Sequence, residues 1–455
     1  MTTIQKVLIA NRGEIARRII RTCKRLSIPT VAVYSEADKD ALFVQEADEA
    51  VSIGPAPVKK SYLDMEALIR ATKETGADAI HPGYGFLAEN SAFAQRCDAE
   101  GITFIGPKAS VIRLMGDKIA ARNQMKAAGV AIVPGVEGAL GSVDEAKRAA
   151  QELGYPVMLK ASAGGGGIGM QIVWNDQELE KAYESTAQRA GSYFGDDTLF
   201  LEKYIASPRH IEVQIAGDSF GNVVHLWERE CSIQRRNQKI IEEAPSPVLD
   251  DVVREALCEA AVKGAKSIGY TNVGTMEFIL DEQGQFYFLE MNTRIQVEHP
   301  VTEEISGIDL VEWQLDIAAG RPLATEQLAI SPIGHAIECR VYAEDPRTFM
   351  PSPGTLTTLQ LPENARLEFA VAEGDRVTPF YDPMIGKIIT HGTNRQEAIA
   401  KMKEALQQCE IRGITHNVPL LSMIMENASF QDGNYNTKFV EQLLKGYKGG
   451  DGHEG

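Results

Sequence analysis

Cysteine is scarce and scattered in this chain. Six residues in 455 (Cys23, Cys97, Cys231, Cys258, Cys339 and Cys409) form no CxxC pair and no Cys/His spacing suited to zinc. A disulfide framework is therefore excluded, and reduced thiols in a cytoplasmic enzyme are the plain reading. Long apolar runs are missing too: none approaches the roughly 20 residues that span a bilayer. The N-terminal residues lack the basic-then-apolar plan of a signal peptide. Basic charge is in deficit, with 46 Lys and Arg against 63 Asp and Glu and a formal charge of −17, which argues against a nucleic-acid partner. What is present, 44% apolar and 24% charged residues over 455 positions, suffices for two or three ordinary globular domains.

The first segment alternates apolar strands with amphipathic helices: strands at 6–10, 29–34, 79–80 and 102–106, helices at 14–26 and 65–74. That rhythm predicts a parallel sheet with helices on both faces. From Lys118 the character changes. Helices are expected at 119–128 and 143–153, then a strand at 156–160. Directly after it come five glycines in six positions (Gly164, Gly165, Gly166, Gly167 and Gly169). Such a loop loses backbone entropy and gains close approach to an anion through its N–H groups. It is no Walker loop, since no Gly-Lys-Ser/Thr follows. Lys160 at the strand end could meet a phosphate, and the strand at 199–205 offers an edge for an adenine. After Ser331 a third region begins, with strands near 335–342, 355–360, 367–372 and 386–391 and helices at 395–408 and 418–426.

The segment from Glu290 to Pro300 carries the sharpest signal. It is expected to continue a strand as an extended chain stopped by Pro300. Glu290, Asn292, Arg294, Gln296 and Glu298 would then share one face, opposite Met291, Ile295 and Val297. Upstream, residues 275–280 read as the partner strand of a hairpin. A tight turn at Gln283-Gly284 sets Glu277 opposite Glu290 and Thr275 opposite Asn292. Like charges directly across a hairpin repel. A divalent cation bound with a nucleotide relieves that repulsion; a pair sharing one proton is the alternative. The glycine loop and Lys160 favour the metal.

From about residue 4 to 443 the chain resembles biotin carboxylase, the ATP-grasp component of biotin-dependent carboxylases such as the acetyl-CoA carboxylase of fatty acid biosynthesis. The blocks that carry the resemblance run in one order: Ile9 to Ala16, His81 to Phe86, Met115 to Lys118, Glu228 to Arg236, Glu290 to Glu303 and His335 to Arg340. The resemblance implies a mixed α/β and α+β architecture. Residues 1–117 would form a parallel-sheet preATP-grasp domain, and 118–330 an ATP-grasp domain with a mobile glycine-rich lid at about 133–203. Residues 331–447 would form a β-rich C-terminal domain, and 448–455 a disordered tail.

By the same resemblance, Lys118, Lys160 and Gly164 to Gly167 would hold the phosphates of ATP. Glu202, Lys203 and Ile205 would meet the adenine and His210 the ribose, with Gln234 and Asn237 also at the nucleotide. Glu277, Glu290 and Asn292 would hold Mg²⁺ or Mn²⁺, two ions in all. Lys239, Arg294, Gln296 and Val297 would bind bicarbonate, and Glu298 would be the general base, with a raised pKa. Arg340 would face the ureido oxygen of biotin, and Tyr84 the ring. The implied reaction phosphorylates bicarbonate to carboxyphosphate and carboxylates biotin. The pair Met402-Lys403 lies inside a helix and is not expected to accept biotin, so a separate biotin carboxyl carrier protein and carboxyltransferase subunits are the expected partners, with a homodimer as the assembly. Three positions depart from the family pattern: Ile168, Gln171 and Asn237 stand where Lys or Arg, Arg and His are common. Either backbone N–H groups supply the lid contacts in their place, or ATP affinity is weakened or lid closure altered. Two rival readings share some of these features: another ATP-grasp ligase, and a degenerate nucleotide-binding scaffold subunit.

Overall fold

The computed structural model describes residues 3–136, 138–162 and 169–448. The loop glycines Gly164 to Gly167, Ile168 and the tail beyond Lys448 lie outside the described residues.

Near the N-terminus, strands β1 (Val7–Ile9), β2 (Thr30–Ser35), β3 (Glu49–Gly54), β4 (Ala79–His81) and β5 (Thr103–Phe104) form a parallel sheet in the order β3-β2-β1-β4-β5. Alternate residues feed two separate cores: Val7, Ile9 and Ala32 pack on one side, Leu8, Val31 and Val33 on the other. Strands covered on both faces need such unbroken apolar runs. The edge strand β3 has no counterpart among the strands expected from the sequence. Glu49 and Ala50 are exposed, so its pattern carries little apolar signal. Gly13, at φ +67°, opens the helix Gly13–Arg25; a positive φ at this strand–helix turn is the reason for glycine there.

A small antiparallel sheet follows, with β6 (Val157–Ala161) between β7 (Met170–Val173) and β8 (Leu199–Lys203). The helices Val143–Leu153 and Asp176–Phe194 cover it and share its own core around Val157, Leu159 and Leu201. Gly169 sits at φ +80°, and a Cβ there would come within 2.9 Å of the Ala161 Cβ. The chain can leave the glycine loop along this path only without a side chain.

The large sheet contains β9 (Arg209–Gly217), β10 (Val223–Arg235), β11 (Gln238–Ala244), β12 (Asn272–Leu280), β13 (Phe286–Asn292) and β14 (His335–Tyr342). Two short pairs lie beyond it: β15 (Gly354–Thr355) with β18 (Arg376–Val377), and β16 (Thr358–Gln360) with β20 (Glu410–Arg412). Strands β17 (Arg366–Phe369) and β19 (Met384–Gly392) complete the main sheet, in the order β13-β12-β9-β10-β11-β14-β19-β17. Hydrogen bonds between β11 and β14 thus carry one sheet across the whole C-terminal half.

Strands β10 and β11 are joined by the two residues Arg236 and Asn237, at φ 48° and 64°. A two-residue hairpin with positive φ at both positions favours Asn, whose short polar side chain tolerates the left-handed region. This gives Asn237 a local reason to exist. Replacing it by Val is expected to destabilise the chain by about 1–2 kcal/mol, read as a lowered denaturant midpoint, whereas Asn237→Gly should keep the parent's midpoint.

The β12–β13 hairpin pairs Glu277 with Glu290 and Thr275 with Asn292, as the sequence predicts. The turn is wider than predicted. Asp281 closes it by accepting from the N–H groups of Gln283 and Gln285, and nearest the turn Leu280 pairs with Phe286. A register shift between Glu277 and Phe278, with Leu289 as the extra residue, restores the pairing at the carboxylates. Beyond Asn292 the extended reading fails. The chain leaves the sheet, and Glu298 stands at the N-cap position of the helix His299–Ser306, without a side-chain capping bond, with Pro300 in the first turn. Proline cannot donate in a strand but fits a helix's first turn, so Pro300 starts an element instead of stopping one. Among the described residues no helix is long and apolar enough to cross a membrane.

Candidate active site

A cavity of about 1040 Å³ lies between the small sheet and the large one. Strands β10 to β14 supply its polar end. Here Glu277 and Glu290 face each other across the hairpin, with Lys118 Nζ 3.8 Å from Glu290. Burial raises the Glu290 carboxyl, and the neighbouring Glu277 raises it further. Burial would raise Glu277 as well, but Lys239 and His210, the latter 2.8 Å away, hold it below the usual carboxylate range. An underneutralised carboxylate beside an ionised one suits a divalent cation, and Glu277 and Glu290 would hold it. Asn292 turns its amide nitrogen to Glu277 Oε1 (2.7 Å) and its oxygen to Arg294 (3.0 Å). For that oxygen to join a metal the amide must turn over.

Lys239 is the hub of the next layer. Its ammonium donates to Glu212 (2.5 Å), Glu298 (2.7 Å) and Glu277 (3.1 Å). Burial alone would lower its pKa, but the three carboxylates hold it well above the ordinary value. Glu298 also accepts from Arg340 Nη2 at 2.9 Å. Burial would raise Glu298, yet Lys239, Arg340 and Arg229 together hold it well below the normal carboxylate range. This corrects the expectation of a raised value: the sequence shows that the base is buried, not that three cations surround it.

Two residues that sequence reasoning missed fix this layer. Arg229, with no exposed surface, donates to Glu212 (2.5 Å), Gln214 (2.6 Å), Gln296 (2.6 Å), Thr302 (2.9 Å) and Thr275 (3.0 Å). The other end of the Gln296 amide donates to Glu277 at 2.8 Å. Glu89 accepts from Arg294 Nε (2.8 Å) and from the Thr293 N–H (3.1 Å), and so aims the guanidinium. Arg229 falls inside a recognised block, but nothing local tells a buried arginine from a surface one. Glu89 lies more than 200 positions from its partner.

At the far end of the cavity Glu202 joins Arg122 (2.6 Å) and Lys160, so the Lys160 ammonium is paired with a carboxylate rather than left free. The Lys203 ammonium donates to the Gly154 carbonyl at 2.5 Å, which leaves the backbone of β8 as this strand's offering to a base. Ile205, Ile279, Val440 and Leu444 give this end its apolar walls. The last two belong to the helix Phe439–Lys448, which packs here from the C-terminus and carries no motif. His210 bonds Gln234 (3.0 Å), and Gln234 and Asn237 both line the cavity.

Every described site residue expected from the sequence therefore lines this cavity except Tyr84. The Tyr84 hydroxyl is bonded to Glu14, which pairs with the buried Lys387 at 3.3 Å. Gln171 accepts from Arg189 at 3.4 Å, so a cation stands beside that departure.

Three family models tile the chain: the biotin carboxylase N-terminal domain over residues 3–112, the carbamoyl-phosphate synthase L chain ATP-binding domain over 117–326, and the biotin carboxylase C-terminal domain over 338–442. A biotin carboxylase of Halalkalibacterium halodurans is 58% identical over 97% of this chain and 98% of its own length. The chain belongs to the biotin carboxylase family. The flanking domains distinguish this biotin carboxylase family member from other ATP-grasp ligases, with which it shares the central one. It is also 52% identical to the mitochondrial propionyl-CoA carboxylase alpha chain of Mus musculus, over 98% of this chain and 63% of that one. Among solved structures, the Campylobacter jejuni biotin carboxylase–β,γ-ATP complex superposes with a TM-score of 0.95 at 49% identity, covering 97% and 99% of the two chains. The biotin carboxylase domain dimer of Hydrogenobacter thermophilus 2-oxoglutarate carboxylase, with MgADP, ADP and bicarbonate, gives 0.94 at 50% identity and covers 98% and 99%. Like its family, the chain carboxylates biotin with ATP, Mg²⁺ and bicarbonate.

Proposed function

We propose that the residues around Lys239 divide the labour of this reaction. Bicarbonate sits between Lys239, Arg294, Gln296 and Val297; Arg294 can grip a planar anion with two prongs, which Lys cannot. Glu298 removes the bicarbonate proton. Its low basicity in the free chain rises when an incoming anion draws Lys239 away from it. Lys118, Lys160 and the glycine loop hold the phosphates of ATP, once Lys160 exchanges Glu202 for the nucleotide. Glu277 and Glu290 hold the metal, which supplies charge neutralisation at the transferring phosphoryl group. The bicarbonate oxygen attacks the γ-phosphorus and ADP leaves; the carboxyphosphate so formed releases CO₂ in the closed cavity, and the phosphate left behind takes the ureido proton. Arg340 steadies the resulting enolate, whose ring nitrogen attacks the released CO₂.

The observation that carries this reading is Glu298 held between Lys239 and Arg340, at 2.7 and 2.9 Å. One side chain thereby joins the bicarbonate group to the biotin group. We infer further that the preATP-grasp, ATP-grasp and C-terminal domains divide near residues 117 and 330, that residues 133–203 act as the lid, and that biotin arrives on a separate carrier serving a carboxyltransferase. A homodimer is in keeping with the dimer named for the Hydrogenobacter thermophilus structure.

The test is ADP release with Mg-ATP and bicarbonate, with and without free biotin. Bicarbonate-dependent turnover that rises with biotin is the expected result. Nucleotide binding without any response to bicarbonate or biotin would mark the chain as a scaffold subunit instead.

A further inference from the structure

Behind Arg340, away from the nucleotide, lies a second pair of facing carboxylates. Glu242 on β11 and Glu338 on β14 are cross-strand partners, and both are fully buried. Glu242 Oε1 stands 2.5 Å from Arg340 Nη2, the same nitrogen that donates to Glu298. Beyond that ion pair, none of the four carboxylate oxygens meets a hydrogen-bond donor among the described residues. Buried acceptors are rarely left so. Two like charges directly opposite in a dry sheet cannot both persist, whereas one proton between them satisfies an oxygen of each.

We propose that Glu242 and Glu338 share one proton behind Arg340, and that Glu242 is a positioning residue whose ionised oxygen holds the guanidinium jointly with Glu298. This rests on the assignment of Arg340 to biotin under the proposed function. Its consequence for the reaction is direct. When Glu298 takes the bicarbonate proton, its grip on Arg340 weakens. Glu242 then keeps the guanidinium in place as positive charge is needed at the ureido oxygen.

The surroundings agree. On the sheet, Lys239 and Arg340 draw Glu242 towards ionisation, and Lys387 on β19 does the same for Glu338. Lys387 is itself committed to the Val297 carbonyl (2.6 Å) and to Glu14 on the helix Gly13–Arg25. Glu298, at the start of the helix His299–Ser306, opposes ionisation of both acids. Next to it His299 is kept neutral, chiefly by burial and by Lys387. Cys231 is an uncharged thiol beside the pair, and Cys339, uncharged as well, points to the opposite face of the sheet into the apolar core; burial and nearby carboxylates raise both pKa values. Burial outweighs Arg340 and pushes Glu242 up to about 7. Burial with Glu242 pushes Glu338 well above the normal range, so Glu338 keeps the first proton and Glu242 takes the second. Arg340 therefore has both anchors above about pH 7 and loses one below it.

The experiment combines two readouts on the full chain and on Glu242→Gln and Glu338→Gln. Difference infrared spectroscopy should show the stretch of one buried protonated carboxyl at pH 8, lost in Glu338→Gln and shifted in Glu242→Gln, where the proton on Glu338 loses its carboxylate partner. With free biotin as substrate, kcat/KM of the parent should fall as pH drops through about 7. In Glu242→Gln it should fall roughly ten- to a hundredfold at pH 8, chiefly through KM, and lose that inflexion. In Glu338→Gln, where an amide donates in place of the shared proton, the inflexion should move to lower pH. An inflexion unmoved in both variants overturns the proposal, as does a carboxyl band that is unchanged in Glu242→Gln or survives in Glu338→Gln. Absence of biotin-dependent turnover in the parent would instead strike the assignment of Arg340, and the infrared result would still decide whether the pair shares a proton.

Discussion

Replacing Glu298 by Gln is expected to cut bicarbonate-dependent ADP formation by about a hundred- to ten-thousandfold, the range for removing a positioned general base. The substitution keeps the size of the side chain and leaves Lys239 two other carboxylates, Glu212 and Glu277. Nucleotide affinity, measured by equilibrium binding of ADP, should stay close to that of the parent chain. A variant that retains a tenth or more of the turnover would remove Glu298 from the chemical step. The pH profile offers a second check. Because three cations hold the Glu298 pKa below its ordinary value, the group stays ionised from neutral pH down past the usual carboxylate range. Loss of kcat/KM between pH 8 and 6, which reports the free chain, therefore belongs to another group.

Arg229→Met should have the largest effect on stability, about 3–5 kcal/mol. Arg229 is a fully buried guanidinium that satisfies Glu212, Gln214, Gln296, Thr275 and Thr302 at once. Methionine can fill much of the volume, but it strands the Glu212 carboxylate with Lys239 as its only cation. The double variant Arg229→Met with Glu212→Gln should recover some of the loss, because it removes the uncompensated charge together with its partner. Denaturant midpoints of parent, single and double variants would measure this. A single variant that unfolds alongside the parent would show that the network is not needed for folding.

How far the sequence speaks for itself varies by element. The facing carboxylates Glu277 and Glu290 were legible because a hairpin is a local device, and its register follows from a turn a few residues away. Even so, the turn is one register off and a bulge puts the pair back, so the correct pairing rests on two compensating irregularities. Helices such as Arg395–Gln408 were legible from their periodicity, and the structure gives the same bounds. The path from Asn292 to Glu298 was not. Alternating polarity resembles a strand, but here the side chains converge on the cavity because the chain turns into a helix. Arg229, Glu89, Lys387 and the helix Phe439–Lys448 were invisible for a different reason: each acts on residues far away in sequence, and an isolated charge gives no sign of being buried. The ionisation of Glu298 was misjudged on the same ground.

The continuity of the large sheet bears on how such a chain can be recombined. Lys239 on β11 and Arg340 on β14 are carried by strands that bond directly to each other, although they stand a hundred residues apart. A cut between the family's central and C-terminal domains does not separate independent modules; it bares the edge of β11, with unpaired backbone groups ready to join another chain. Exchanging C-terminal halves between relatives therefore requires that the incoming strand match Ile241, Glu242 and Glu243 in register. A slip of one position would turn Arg340 to the opposite face of the sheet. Inheritance of this half as a unit follows from hydrogen bonding as much as from chemistry.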